Sequence, residues 1–216
     1  IMRAFTPELP AQEQAALRGA FARIHEHFIA KTASAARAGA KIVVWPEANI
    51  MAYRADEPAL LARLQALARE QDIYLLAGVA VLDASPGPSF ENRAMLFDPA
   101  GGSAARYLKT TAVPGFEARF GVRGDGRLPM VETPHGRVTT AICYDLDFPW
   151  LLRQAGQGRA DLLLAPASDW REIGELHHIA AVFRAVENGV TLVRAGLGAR
   201  AAGATDITVR RTILTE

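Results

Sequence analysis

Apolar positions along this chain change period several times, and the changes divide it into elements. Leu17, Phe21, Ile24 and Phe28 follow at steps of four, three and four, which predicts a helix over 11–38. Gly39 directly after it suits a helix stop. Lys41-Ile42-Val43-Val44-Trp45 reads as a short buried strand that closes on Pro46-Glu47-Ala48-Asn49. A second helix is expected over 58–70, with Leu60, Leu61, Leu64 and Leu67 on one face and Pro58 in the first turn. An apolar strand over 73–82 runs into the turn-rich Ala84-Ser85-Pro86-Gly87-Pro88-Ser89. Strands at 92–97 and 104–108 flank Asp98-Pro99-Ala100-Gly101-Gly102 in the manner of a hairpin, and Lys109 stands at the end of the second.

The middle of the chain breaks the rhythm. Residues 110–127 hold four glycines and a proline and read as a long irregular segment, a kind that is often functional inside a compact domain. A short strand at 128–132 and a turn around Pro134-His135-Gly136 come next. The β-branched run from Val138 then reads as a strand ending on Cys143, followed by a turn carrying Asp145 and Asp147 and a helix over 148–156. A strand at 161–165, a helix at 174–188 and a strand at 190–195 complete the pattern. In that last helix Leu176, Ile179, Phe183 and Val186 share an apolar face, and His177, Ala180, Arg184 and Glu187 form the adjacent stripe. Strands alternating with helices, interrupted by hairpins, predict an α/β layered fold with a mixed sheet.

Composition narrows the partners more than the fold. With 216 residues, 50% of them hydrophobic and 22% charged, the chain has the make-up of one globular domain. A net charge of +1 gives no electrostatic case for nucleic acid or an anionic membrane. A single cysteine makes no internal disulfide and leaves the compartment open. No apolar run reaches the roughly 18 residues of a membrane helix.

Glu47, Lys109 and Cys143 each follow a strand, where open α/β sheets bind ligands. Together they form a complete chemical set. The ammonium would stabilise a thiolate and lower the thiol pKa from about 8.5. The carboxylate would take the thiol proton and return it to a leaving amine. The ammonium and a backbone N–H after Cys143 would hold an oxyanion. Each residue also has an ordinary reading: Glu47 as a helix-capping acid, Lys109 as a solvated charge, Cys143 as a small buried hydrophobe. Their combination is what favours a site.

Trp45-Pro46-Glu47, Tyr107-Leu108-Lys109 and Ile142-Cys143-Tyr144-Asp145 resemble, in order, the three signatures of the nitrilase superfamily of carbon–nitrogen hydrolases, and the resemblance covers nearly the whole chain. It implies an α-β-β-α sandwich with mixed sheets and no cofactor. It makes Glu47 the general base, Lys109 the oxyanion stabiliser and Cys143 the nucleophile of a thioester intermediate, released by water or an amine. Glu117, in Val113-Pro114-Gly115-Phe116-Glu117, matches a second glutamate that assists the site in many members. Tyr144 would lend its backbone N–H to the oxyanion. Asp169-Trp170 resembles the segment bordering the substrate pocket. Arg184-Ala185-Val186-Glu187-Asn188 is similar to the family's Arg-Ala-x-Glu-Asn. With His177, the Arg184–Glu187 pair would be a partly buried support that braces the site.

The partner implied is a small-molecule amide or acyl donor, and a homodimer is what the resemblance suggests. Two branches are in view. Free amidases imply a cytoplasmic enzyme. Apolipoprotein N-acyltransferases carry this domain outside the membrane, tethered by membrane helices, and move an acyl chain from phospholipid to an amine. Val113-Pro114 with Glu117, and Leu192-Val193-Arg194-Ala195, resemble the acyltransferase branch more closely. Pro114-Gly115-Phe116-Glu117 departs from that branch's Pro-Phe-Gly-Glu. By resemblance, residues 1–216 are a single carbon–nitrogen hydrolase domain lacking part of the family's N- and C-terminal segments. The reading from another class is a catalytically silent binding or assembly domain with the same fold.

Other motifs carry less. Gly196-Leu197-Gly198-Ala199-Arg200-Ala201 matches a dinucleotide fingerprint, but too little of this chain follows it for the second strand and its acid. His25 and His27 lie two apart on a helix and diverge, and His177-His178 diverge likewise, so no metal is implied. Asp145 and Asp147 read as helix-start acids.

Overall fold

The computed structural model describes residues 9–83, 89–197 and 207–212. Most of the 84–89 turn and of the dinucleotide-like segment lie outside these residues.

Helix α1 (Ala11–Arg37) turns Phe21, His25, Phe28 and Thr32 inward and is followed by Gly39 at φ +97°. Strand β1 (Ile42–Val44) leads through Pro46 and Glu47 into β2 (Ile50–Tyr53), a strand the sequence pattern did not indicate. Helix α2 (Glu57–Glu70) carries its proline in the first turn. Strands β3 (Tyr74–Asp83), β4 (Ser89–Phe97) and β5 (Ser103–Leu108) form an antiparallel meander, while β1 and β2 both pair parallel to β3. This is the first sheet.

The 110–127 segment is not wholly irregular: it contains a short helix α3 (Phe116–Phe120). A hairpin of β6 (Val131–Thr133) and β7 (Gly136–Thr140) then opens the second sheet. The strand expected to reach Cys143 stops at Thr140, and Cys143–Asp147 is a 3-10 turn. Helix α4 (Pro149–Gln157), β8 (Leu162–Pro166), α5 (Arg171–Asn188), β9 (Thr191–Leu197) and β10 (Ile207–Thr212) complete the described chain. The second sheet has the order β10-β9-β8-β7-β6, with β7, β8 and β9 parallel and the outer pairs antiparallel.

Period-two burial on β3 and β4 explains the layering. Leu75, Ala77, Val79, Val81, Met95 and Phe97 pack with Phe28, Leu60, Leu64 and Leu67 of the helices over the first sheet. Leu76, Ala94 and Leu96 alternate with them and join Val138, Leu163 and Leu192 between the sheets. Leu151, Ala155, Ala181 and Ala185 bring α4 and α5 against the far face. The result is an α-β-β-α sandwich with mixed sheets. Trp45 is fully buried in the first helical layer, where its indole N–H donates to Thr32 Oγ1 at 2.8 Å. Burying a large apolar side chain of this kind contributes about 1.5–3 kcal/mol.

Helix α5 inverts the usual arrangement. Its small residues Ala181 and Ala185 face the core, whereas Leu176, Ile179, Phe183 and Val186 remain 67%, 46%, 58% and 50% exposed.

Candidate active site

Glu47 is set in place by backbone. The Pro46-Glu47 segment crosses β3 at Gly78, where an added Cβ would lie 2.2 Å from the Pro46 carbonyl oxygen and 2.9 Å from Glu47 Cα. The Glu47 N–H donates to the Ala167 carbonyl at 3.3 Å, joining the carboxyl-end loops of the two sheets. Lys109 is fixed similarly. Its N–H donates to Asn92 O and its carbonyl accepts from Gly124 N–H, both at 2.9 Å. Gly124 lies so close that a Cβ there would stand 2.1 Å from Leu108 O.

These supports bring the charged groups together out of water. Lys109 Nζ donates to Glu47 Oε1 at 2.7 Å and to Glu117 Oε1 and Oε2 at 2.9 and 2.8 Å. Glu117 also accepts from the Val113 N–H at 2.9 Å. Asn92 Nδ2 bridges the two glutamates, at 2.7 Å to Glu47 and 3.0 Å to Glu117. The buried Glu47 and the partly buried Glu117 against one ammonium hold Lys109 charged, its pKa pushed up despite burial.

Cys143 opens the 3-10 turn at φ +46°, a left-handed conformation rare outside glycine. The strain is held by Asp145, two residues on and fully buried. Asp145 accepts hydrogen bonds from Tyr107 Oη (2.7 Å), Thr111 N (2.8 Å), Thr111 Oγ1 (2.5 Å) and Ile142 N (3.2 Å). Tyr107 and Thr111 flank Lys109, and Ile142 precedes Cys143, so one carboxylate couples the lysine segment to the cysteine turn. Asp145 is therefore more than a helix-start acid. Burial raises its pKa against the pull of these four donors.

On its other side Cys143 meets a second polar group. Its Sγ lies 3.4 Å from Asp169 Oδ1, in hydrogen-bond contact. Asp169 Oδ1 is also 3.0 Å from His177 Nδ1, and Arg194 pairs with its other oxygen. His177 Nε2 stands 3.5 Å from Asp147 Oδ2. The thiol pKa is raised, chiefly by burial and then by the charge of Glu47, with Asp169 adding and Lys109 opposing. The lowering expected from Lys109 does not prevail, because burial and the charge of Glu47 outweigh it.

A cavity of about 390 Å³ opens onto Cys143, Glu47, Lys109 and Glu117. Its walls are largely apolar, with Met51, Phe90, Val113, Pro114, Phe116 and Ile173, and Asp169, Trp170 and His177 also line it. The volume lies in the range of pockets that enclose a small organic ligand.

The carbon–nitrogen hydrolase family profile matches residues 11–199. This chain belongs to the carbon–nitrogen hydrolase family. An apolipoprotein N-acyltransferase of Geobacter metallireducens is 31% identical over 183 residues, covering 71% of this chain and 34% of that protein. The deaminated glutathione amidase of Mus musculus is 31% identical over 183 residues, covering 74% of this chain and 57% of that protein. An amidase from Nesterenkonia sp. shares the fold with a TM-score of 0.69 at 24% identity, covering 82% of this chain and 70% of that one. The chain thus spans about a third to just over half the length of these two curated relatives.

Within this carbon–nitrogen hydrolase the sequence-derived residues separate into two groups. Glu47, Lys109, Glu117, Cys143, Asp169, Trp170 and His177 all line the one cavity. Arg184 and Glu187 do not. They form an i,i+3 pair on α5 at 3.1 Å, partly buried as expected, with Arg184 15% and Glu187 49% exposed, and the pair stands outside the cavity lining. His177, Asp147 and Asp169 form a chain of contacts beside the cysteine turn, and burial, with the charge of Asp169, raises the Asp147 pKa against the opposing charges of His177, Arg194 and Arg184. Tyr144 places its ring against Phe148 and His177, with centroids 5.1 and 6.0 Å away. Its N–H precedes the first hydrogen bond of the turn, from Asp145 N to Ile142 O. Sequence reasoning missed Asn92, Tyr107, Thr111 and Arg194 as members of the site. The available signal for Asn92 was a polar residue inside an apolar strand.

Proposed function

We propose that this carbon–nitrogen hydrolase is a cysteine-dependent amidase that forms a thioester on Cys143. The observation that carries the reading is the Glu47–Lys109–Glu117 cluster, with Glu47 and Lys109 buried, opening into the same cavity as the strained Cys143 turn. Glu47 takes the thiol proton as Sγ attacks the amide carbon. Lys109 and the Tyr144 N–H meet the oxyanion. As the C–N bond breaks, Glu47 returns the proton to the leaving amine. Water, deprotonated by Glu47, then attacks the thioester, and the carboxylic acid leaves as the thiol is restored. Glu117 and Asn92 keep Lys109 and Glu47 in register throughout. A relative supports the nucleophilic role of the cysteine: a structure of a mutant of the Nesterenkonia amidase shows the result of Michael addition of acrylamide at its active-site cysteine.

A second reading has its own support. The apolar cavity wall suits an acyl chain, and the acyltransferase relative matches at 31% identity, so an amine could replace water as the acceptor. The test is intact-mass analysis during turnover of a panel of aliphatic and aryl amides and esters, with and without added amines. The amidase reading expects an acyl adduct on Cys143 and carboxylic acid product, both lost in Cys143→Ala. A product that is mainly the N-acyl amine selects acyl transfer, turnover that survives Cys143→Ala overturns Cys143 as the nucleophile, and no turnover of any amide or ester by the wild-type protein selects the catalytically silent domain. The exposed stripe of α5 is the face on which the homodimer implied by the resemblance would form, and Phe183→Asp should then halve the sedimenting mass.

A further inference from the structure

We infer that Cys143, Asp169 and His177 form a binding site for a thiophilic divalent cation, Zn²⁺ in the first place, that reversibly silences the enzyme. The inference rests on the reading of Cys143 as the nucleophile. One ligand atom from each residue lies within 4.8 Å of the other two. Cys143 Sγ is 3.4 Å from Asp169 Oδ1, which is 3.0 Å from His177 Nδ1. A tetrahedral zinc with bonds of about 2.0–2.3 Å spaces its ligands roughly 3.3–3.6 Å apart. The two Asp169 edges are within a few tenths of an ångström of that spacing, and the third, from sulfur to the imidazole, is at most 4.8 Å, so the side chains must draw together along it by up to about 1.5 Å.

The surroundings are those of a metal site as much as the ligands are. A histidine that binds through one ring nitrogen usually donates the other N–H to a carboxylate, which fixes its tautomer. His177 Nε2 faces Asp147 Oδ2 at 3.5 Å while Nδ1 faces the triangle. Arg194 holds one oxygen of Asp169 and leaves the other for the ion. Asp147 Oδ1 is buried with no hydrogen-bond partner among the described residues, so that carboxylate has spare capacity to orient the ring. Charge favours a cation as well. Glu47, Glu117, Asp147 and Asp169 gather around Cys143 against Lys109 and Arg194, and Arg184 is engaged by Glu187. The ligands come from three places in the fold: the 3-10 turn, the loop after β8, and α5. That explains why no contiguous motif announced them.

Binding exchanges the thiol proton for the ion. The proton passes to solvent, sulfur bonds to the metal, and its electron pair is no longer free to attack a carbonyl. Lys109 keeps both glutamates, so the rest of the machinery stays assembled. With three protein ligands, the fourth position opens to the cavity for water.

Co²⁺ titration of the chelator-treated protein tests this, with amide turnover measured on the same preparation before metal is added. The expected result is a thiolate-to-Co²⁺ charge-transfer band that saturates at one equivalent. Zn²⁺ should abolish that band and protect Cys143 from iodoacetamide. His177→Ala should weaken Co²⁺ binding, and the isosteric Asp147→Asn should weaken it by about 10–100-fold, the usual cost of losing a partner that orients a ligand. Absence of the band in the wild-type protein overturns the site, as does unchanged affinity in both variants. Metal-free turnover without a band removes the metal site alone. A band without turnover supports the site and removes the hydrolase reading.

Discussion

The cavity at Cys143 is bordered by two carboxylate clusters that differ in where they come from and in how they are held. On one side Glu47 and Glu117 come from the first sheet and the segment after it, close on Lys109, and share Asn92. Those contacts fix the ammonium and both acids. On the other side Asp169, Asp147 and His177 come from the second sheet and its connections. There the two His177 contacts are longer, at 3.0 Å to Asp169 and 3.5 Å to Asp147, although Arg194 holds the other Asp169 oxygen closely. The thiol touches Asp169 on this second side, and residues of both sides line the same cavity. The difference teaches a division of labour. Preorganised charge belongs where the transition state develops charge, and adaptable contacts belong where the thiol rests between turnovers.

The largest expected effect follows directly. Glu47→Gln removes the base and one of the two carboxylates on Lys109, and kcat/KM for amide hydrolysis should fall by about 10²–10⁴. Asp169→Asn keeps the shape but removes the charge that pairs with Arg194 and His177 as well as a resting partner of the thiol; because Asp169 takes no part in the proton transfers, its loss should stay within about tenfold. Steady-state kinetics on both variants decides the matter, and equal losses would erase the distinction between the two sides.

Next in size is the clamp beneath the cysteine turn. An asparagine at position 145 presents one acceptor where the aspartate presents two oxygens to four donors. At least one buried donor then goes unsatisfied, at about 1–3 kcal/mol each. Asp145→Asn should lower urea stability by that amount and reduce kcat, since the φ +46° turn loses its tie to the lysine segment. Tyr107→Phe deletes a single donor, so its effect should be the smaller of the two.

These predictions also mark what the sequence could convey. Helical spacing in Leu17, Phe21, Ile24 and Phe28 and the apolar run of β3 were legible because burial repeats at the period of the element. Glu47, Lys109, Glu117 and Cys143 were legible because each lies in a local motif. Strand β2 was not, for Ile50-Met51-Ala52-Tyr53 is too short to show a period, and its pairing with β3 is a tertiary fact. The Asp145 clamp and the Asp169–His177–Asp147 chain were invisible for the same reason: their members lie up to 38 residues apart and meet only after the sheets pack. Nor does amphipathic spacing say which way a helix faces. The apolar stripe of α5 was plain in the sequence, yet only the structure shows it turned to solvent.

The smallest effect sharpens the comparison by asking whether acid sensitivity belongs to the site at all. His25 on α1 is buried, and its Nε2 lies 3.0 Å from the carbonyl of Met51, a residue of the cavity wall. Burial, aided by the charge of Arg63, lowers its pKa below 6.5 and outweighs the Met51 hydrogen bond. The unfolded chain therefore binds a proton that the folded one resists, so the unfolding free energy should decline as pH falls through 6.5 toward the lower folded value. Above that window the contribution is complete. Urea titrations at pH 7.5 and 5.5 should show the decline in wild type and a shallower one in His25→Gln, which keeps an amide donor for Met51 and has no proton to gain. An equal decline in both would move the acid-sensitive group away from α1 and back to the carboxylate clusters around Cys143.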